Sequence, residues 1–126
     1  MNEERVVLGN DRGMEPGLAA NLAKEYFGGF VRSRETYGTT QAAAVQIVEN
    51  NPDRIGLEVI NNSDAVIYVG RNPGVSITQG IPLSAAGGAM IKKFRDDGQT
   101  CGDAVYGMSA VAGEEYTIIE TILWGK

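Results

Sequence analysis

"RIGLEVINNSDAVIYVG", residues 54–70, decides the fold. Ile55, Leu57 and Val59 alternate against Arg54, Gly56 and Glu58, the period-two pattern of a strand with one face buried. The polar "NNSD" then reverses the chain, because Asn and Asp side chains bond to nearby backbone and tolerate left-handed conformations. "AVIYVG" follows as a second strand. The reading here is a hairpin over residues 54–70.

Working outward, the same punctuation recurs about every ten residues. "AAVQIVE" precedes the turn "NNPD"; "VSI" and "IPL" follow "RNPG", and Pro82 restricts the latter to an edge or an extended connection. "AMIKKF" ends at "RDDGQTCG", where Asp97-Gly98 reads as a hairpin turn. "AVYGMSAV" and "YTIIETILW" complete the series. Seven or eight short strands with no helical pattern between them predict an all-β, antiparallel β-sandwich, jelly-roll-like in architecture, and disfavour a parallel sheet.

Residues 1–40 read differently. They form an N-terminal arm rich in Gly and charge, in front of a sandwich domain at 41–126. Within the arm, "EPGLAANLAKEYF" predicts a short amphipathic helix. Pro16 suits a first helical position, Glu15 suits the positive N-terminus, and Leu18, Leu22 and Tyr26 share one stripe until Gly28-Gly29 ends it. About three turns are too few for stability alone, so this helix needs a surface to lie on.

Composition narrows the function. A chain of 126 residues, 43% apolar, is one globular domain. The formal net charge of −5 with scattered basic residues argues against a nucleic-acid partner. No apolar run approaches the ~20 residues that span a bilayer, so no membrane partner is expected. The charged start has no apolar leader segment, which predicts cytosolic synthesis. The single Cys101 excludes an intramolecular disulfide framework and reads as a small buried hydrophobe.

The absence of histidine removes the commonest general base and metal ligand. The glycine-rich turns lack the P-loop pattern and lead into no helix. Asp96, Asp97 and Asp103 do not have EF-hand spacing. Glu58, Glu114, Glu115 and Glu120 are the carboxylates available for acid-base pairing, with Glu58 and Glu120 expected to face solvent or a neighbouring subunit. Tyr68, Tyr106, Tyr116 and Trp124 are spread over three strands and read as packing residues before a sugar platform. No enzyme activity, cofactor or metal is expected.

Two strands carry apolar residues on both faces: "AVIYVG" and "YTIIETILW". This leaves two readings, subunit contacts or cover by the arm's helix. On the first, Ile67, Val69, Ile119, Leu123 and Trp124 form an oligomer interface.

The segment 54–121 resembles a module of small tailed-bacteriophage virion proteins. The positions that carry the resemblance are Arg54, Asn61, Asn62, Ser63, Tyr68, Gly70, Gly80, Ile81, Leu83, Tyr106 and Glu120. It implies a β-sandwich that assembles with itself on a phage particle, as a capsid decoration (cement) protein, a head fibre or a tail component. The isolated arm favours decoration: a virion protein on the capsid surface, made in the host bacterial cytoplasm, with the major capsid protein as partner. Leu18, Leu22, Tyr26, Phe27 and Phe30 would then anchor the arm on the capsid. The resemblance also implies a homotrimer, with a dimer as the other possibility. The competing reading is a receptor- or glycan-binding module using the loops at 61–64, 71–73 and 96–99.

Overall fold

A computed structural model describes residues 30–124, and eight strands run through them. They are β1 (Phe30–Thr39), β2 (Val45–Val48), β3 (Arg54–Asn61), β4 (Ile67–Gly70), β5 (Ile81–Leu83), β6 (Ala89–Lys93), β7 (Val105–Ser109) and β8 (Glu115–Trp124). Ser33–Ile122 make one compact unit; residues 30–32 and 123–124, the outer ends of β1 and β8, belong to a second unit.

The strands form two four-stranded antiparallel sheets, ordered β1-β8-β3-β6 and β2-β7-β4-β5. Partners nest as 1 with 8, 2 with 7, 3 with 6 and 4 with 5. A long two-stranded ribbon folded over on itself produces that nesting, and it is the jelly-roll topology. The expected all-β sandwich is therefore present in its jelly-roll form. The core lies between the sheets: Val48, Leu57, Val59, Ile67, Val69, Leu83, Val105 and Ile118, with Ile47, Met90 and Tyr116 packed against it.

Several local expectations change. Residues 54–70 are not a hairpin. β3 lies in the first sheet and β4 in the second, so the chain arches between sheets over residues 62–66. An arch and a hairpin share one sequence pattern, two apolar runs around a polar reversal. Buried Asn61 builds the arch: its Nδ2 donates to the Ala65 carbonyl (2.7 Å) and the Leu83 carbonyl (2.9 Å), while its Oδ1 accepts from the Ser63 N–H and hydroxyl. Asn61→Ala is expected to cost about 2 kcal/mol in urea unfolding, because buried polar groups lose their partners and water cannot reach them.

Asp97-Gly98 is likewise no hairpin turn. One helical turn, α1 (Phe94–Asp97), and a 3-10 turn (Gly98–Gly102) carry the chain from β6 to β7 in the opposite sheet. "VSI" forms only a bridge, Ser76 to Gln79. Val75 tucks between Gly70, where a Cβ would lie 2.5 Å from its methyl, and Gly80 (φ 151°). β5, with Pro82, is an edge strand as expected.

β1 occupies residues assigned from the sequence to the arm. It is the edge strand beside β8, and most of its residues are exposed, so no buried stripe marks it. Edge strands of this kind carry charge, here Arg32, Arg34 and Glu35, which obscures the pattern further. The predicted helix lies outside the described residues.

Candidate functional site

The chemistry-bearing residues gather where β3, β8 and the β6–β7 connection meet. Between Arg54 and Gly56 the register of β3 against β8 slips by one residue, a bulge that makes Ile55 the extra residue. The bulge turns Arg54 to the inner face with Leu57, Val59 and Asn61, contrary to the alternation expected from sequence. Arg54 is fully buried, yet its guanidinium is engaged on all sides. Nε donates to Glu120 Oε2 (2.8 Å), Nη1 to the carbonyls of Cys101 (3.1 Å) and Asp103 (3.2 Å), and Nη2 to the carbonyl of Glu49 (2.5 Å). One side chain thus ties together β8, the 3-10 turn and the end of β2.

Glu120 is also buried, and does not face solvent or a neighbour as expected. Its second oxygen accepts from Arg34 of β1, through Nε (3.0 Å) and Nη2 (2.9 Å). Both oxygens are held by guanidinium groups. Next to it, between β1 and β2, opens a cleft of about 360 Å³, floored by Ile118 and Glu120 and walled by Arg34, Thr36 and residues 46–49.

Glu58 and Glu120 have no geometry for glycoside chemistry together. Glu120 stands opposite Leu57 on the inner face, while Glu58 stands opposite Ile119 on the outer face, so the sheet separates them. Asp97 accepts the Lys93 N–H and Asp103 accepts from Arg71, so those acids close loops. Among the described residues no cluster of His, Cys, Asp or Glu has the makings of a metal site. Cys101 is wholly buried, and desolvation, with Asp97 nearby, raises its thiol pKa. Tyr116 packs against the core, where desolvation raises its pKa, whereas Tyr68 and Tyr106 belong to the second sheet.

The loops of the receptor-binding reading do not converge. Residues 62–64 follow the end of β3, while 71–73 and 96–99 lie beyond β4 and β6 at the opposite end of the sandwich, where Arg71 meets Asp103. Eight residues of β3 at about 3.3 Å each separate the two ends. Asn61 is spent internally.

Of the proposed interface residues, Ile67 and Val69 are in the core, each 0% exposed, and are unavailable to a partner. Sequence showed apolar residues on both faces of β4 without showing which face the second sheet turns inward. Ile119 and Leu123 are half-buried, and Trp124 ends β8. Phe30 starts β1, half-buried; Leu18, Leu22, Tyr26 and Phe27 lie outside the described residues.

Sequence reasoning missed the outer face of the first sheet as a unit. Three rows cross β8, β3 and β6: Ile119–Glu58–Ile91, Thr117–Ile60–Ala89 and Thr121–Gly56–Lys93. Ile60 and Ile119 are half-buried and Ile91 is 55% exposed. The signal that could have found it was Ile60 and Ile91, apolar residues standing outside the inward set of their strands.

Fold and side chains together define a jelly-roll β-sandwich whose buried polar groups are consumed in its own corners. No family model matches the chain, and no curated protein matches it. Among solved structures, it is similar to a chain of the Bacillus endospore appendages described as a novel family of disulfide-linked pili. The two are 14% identical, the match covers 75% of this chain and 88% of the other, and the TM-score is 0.41.

Proposed function

We propose that the protein is a non-catalytic structural subunit, a bacteriophage capsid decoration protein that self-associates and bridges neighbouring capsid subunits to stabilise the head. The observation that carries this reading is the outer face of the first sheet: Ile91, 55% exposed, with half-buried Ile60 and Ile119 beside it, on a sandwich whose buried polar side chains are already committed internally. A surface of that kind serves association better than turnover. The resemblance of residues 54–121 to phage virion modules supplies the setting.

The roles of its matching positions are consistent with a scaffold. Arg54 and Glu120 form the buried ion pair, Asn61 and Ser63 the arch, and Gly70 and Gly80 the seat of Val75. Modest contacts repeated over a capsid lattice add up through multivalency. The net charge of −5 suits the outside of a shell rather than packaged DNA. The arm residues Leu18, Leu22, Tyr26 and Phe27 are the proposed capsid anchors, on the strength of their spacing in the sequence; Phe30, which starts β1, leaves that set.

The test is co-sedimentation with capsid shells of the parent virus stripped of this protein. Saturable, stoichiometric rebinding is expected, and the double substitution Leu18→Asp/Leu22→Asp should weaken it more than about tenfold while leaving the unfolding midpoint in place. A folded protein that never rebinds would overturn the decoration role.

A further inference from the structure

Resting on the reading of this chain as a self-associating subunit, we infer that the outer face of the first sheet is a two-fold interface between copies, closed by reciprocal Glu58–Lys93 ion pairs around Ile91. On β3 and β6, Glu58 stands opposite Ile91 and Gly56 opposite Lys93, so the four form a rectangle with the two charges at opposite corners. Opposite corners lie ~7–8 Å apart between Cα atoms, a diagonal spacing rather than the closer spacing of directly facing residues. Among the described residues neither the Glu58 carboxylate nor the Lys93 ammonium has an ion-pair partner. An acid and a base are therefore held on one face, close together and unmatched.

That arrangement is complementary to itself. A two-fold axis lying in the interface, close to the Ile91–Gly56 diagonal, exchanges the two charged corners. Glu58 of each copy then meets Lys93 of the other, twice, as an isologous contact requires. The same axis sets Ile91 against its counterpart and Gly56 against its counterpart. Ile91, 55% exposed, has side-chain area to bury there. Gly56 has no side chain, and a Cβ built on it would already crowd Thr121 at 3.2 Å, so the glycines leave room for the facing sheets to approach. Ile60, Ile119 and Ala89 extend the apolar ground on either side.

The charges direct as well as attract. A copy docked about the other diagonal would set Glu58 on Glu58 and Lys93 on Lys93, which like-charge repulsion disfavours. The face is small: four strands at ~4.8 Å by about five residues at ~3.4 Å. That falls below the ~800 Å² per partner of a standard interface. The dimer is accordingly weak, with a dissociation constant on the order of 10 µM.

Sedimentation equilibrium of the full chain from about 1 to 200 µM tests this, with three charge variants. The wild type should pass from monomer to dimer across that range. Glu58→Lys and Lys93→Glu should each weaken the dimer at least ~10-fold, since each sets like charges together twice. The double variant Glu58→Lys/Lys93→Glu should recover to within ~3-fold of wild type, which a misfolded single variant could not explain. A monomer at 200 µM, a trimer at any concentration, single variants that dimerise as well as wild type, or a double variant no tighter than the singles would each overturn the interface. The capsid reading fails separately: a monomer or trimer that still saturates stripped shells removes only this interface, whereas a rescued dimer that ignores shells removes only the decoration role.

Discussion

Glu120→Gln is expected to lower the unfolding free energy by about 3–5 kcal/mol, the cost of leaving one partner of a buried ion pair uncompensated. The amide keeps the shape of the carboxylate and removes its charge. Arg54, with a side chain 0% exposed, then retains a buried positive charge with only carbonyl oxygens around it. Domains of this size have about 5–15 kcal/mol in total, so the variant sits near the edge of folding. Arg34→Ala is the control. Its side chain is 51% exposed, solvent screens the interaction, and the expected loss is about 1 kcal/mol or less. Urea titrations of both variants measure the difference, and equal losses would refute the asymmetry. Arg54→Met/Glu120→Leu should lose less than the two single losses combined, since no lone charge remains; its residual cost reports the three carbonyls left without a donor.

Ile67→Ala is expected to cost about 2–5 kcal/mol, and Ile119→Ala less than about 1. Both isoleucines looked equivalent in the sequence, and the structure separates them. Ile67 is 0% exposed between Leu83 and Ser109 on neighbouring strands, so deleting its branched chain leaves a cavity that the packed sheets do not fill. Ile119 is half-buried on the outer face, where solvent or a partner takes up the vacated space. Thermal or urea unfolding of the pair gives the comparison directly. If Ile67→Ala proved as mild as Ile119→Ala, the assignment of inner and outer faces would be wrong. The same variants bear on association, because only Ile119 belongs to the face proposed to meet a second copy.

Much of the architecture was legible before any coordinates. Seven of the eight strands, β2 to β8, the edge position of Pro82 and the sandwich class follow from periodicity and turn chemistry, which are local and need no knowledge of neighbours. The arch at 62–66 was legible as a reversal, though not as a passage between sheets. β1 escaped notice because an exposed edge strand has no buried stripe to read.

The sites were less legible, for a physical reason common to each. Sequence alone determined that this chain is a β-sandwich with scattered charge, one cysteine and no histidine. It also showed that Arg54, Asn61 and Glu120 stand at patterned positions. Only the tertiary structure decided that a one-residue bulge turns Arg54 inward to meet Glu120, 66 residues away. It also decided that Ile67 and Val69 belong to the core while Ile91 and Ile119 stand outside with Glu58 and Lys93. Alternation says that a strand has two faces. Which face is covered depends on the second sheet, and that is set by pairings between residues far apart in the chain.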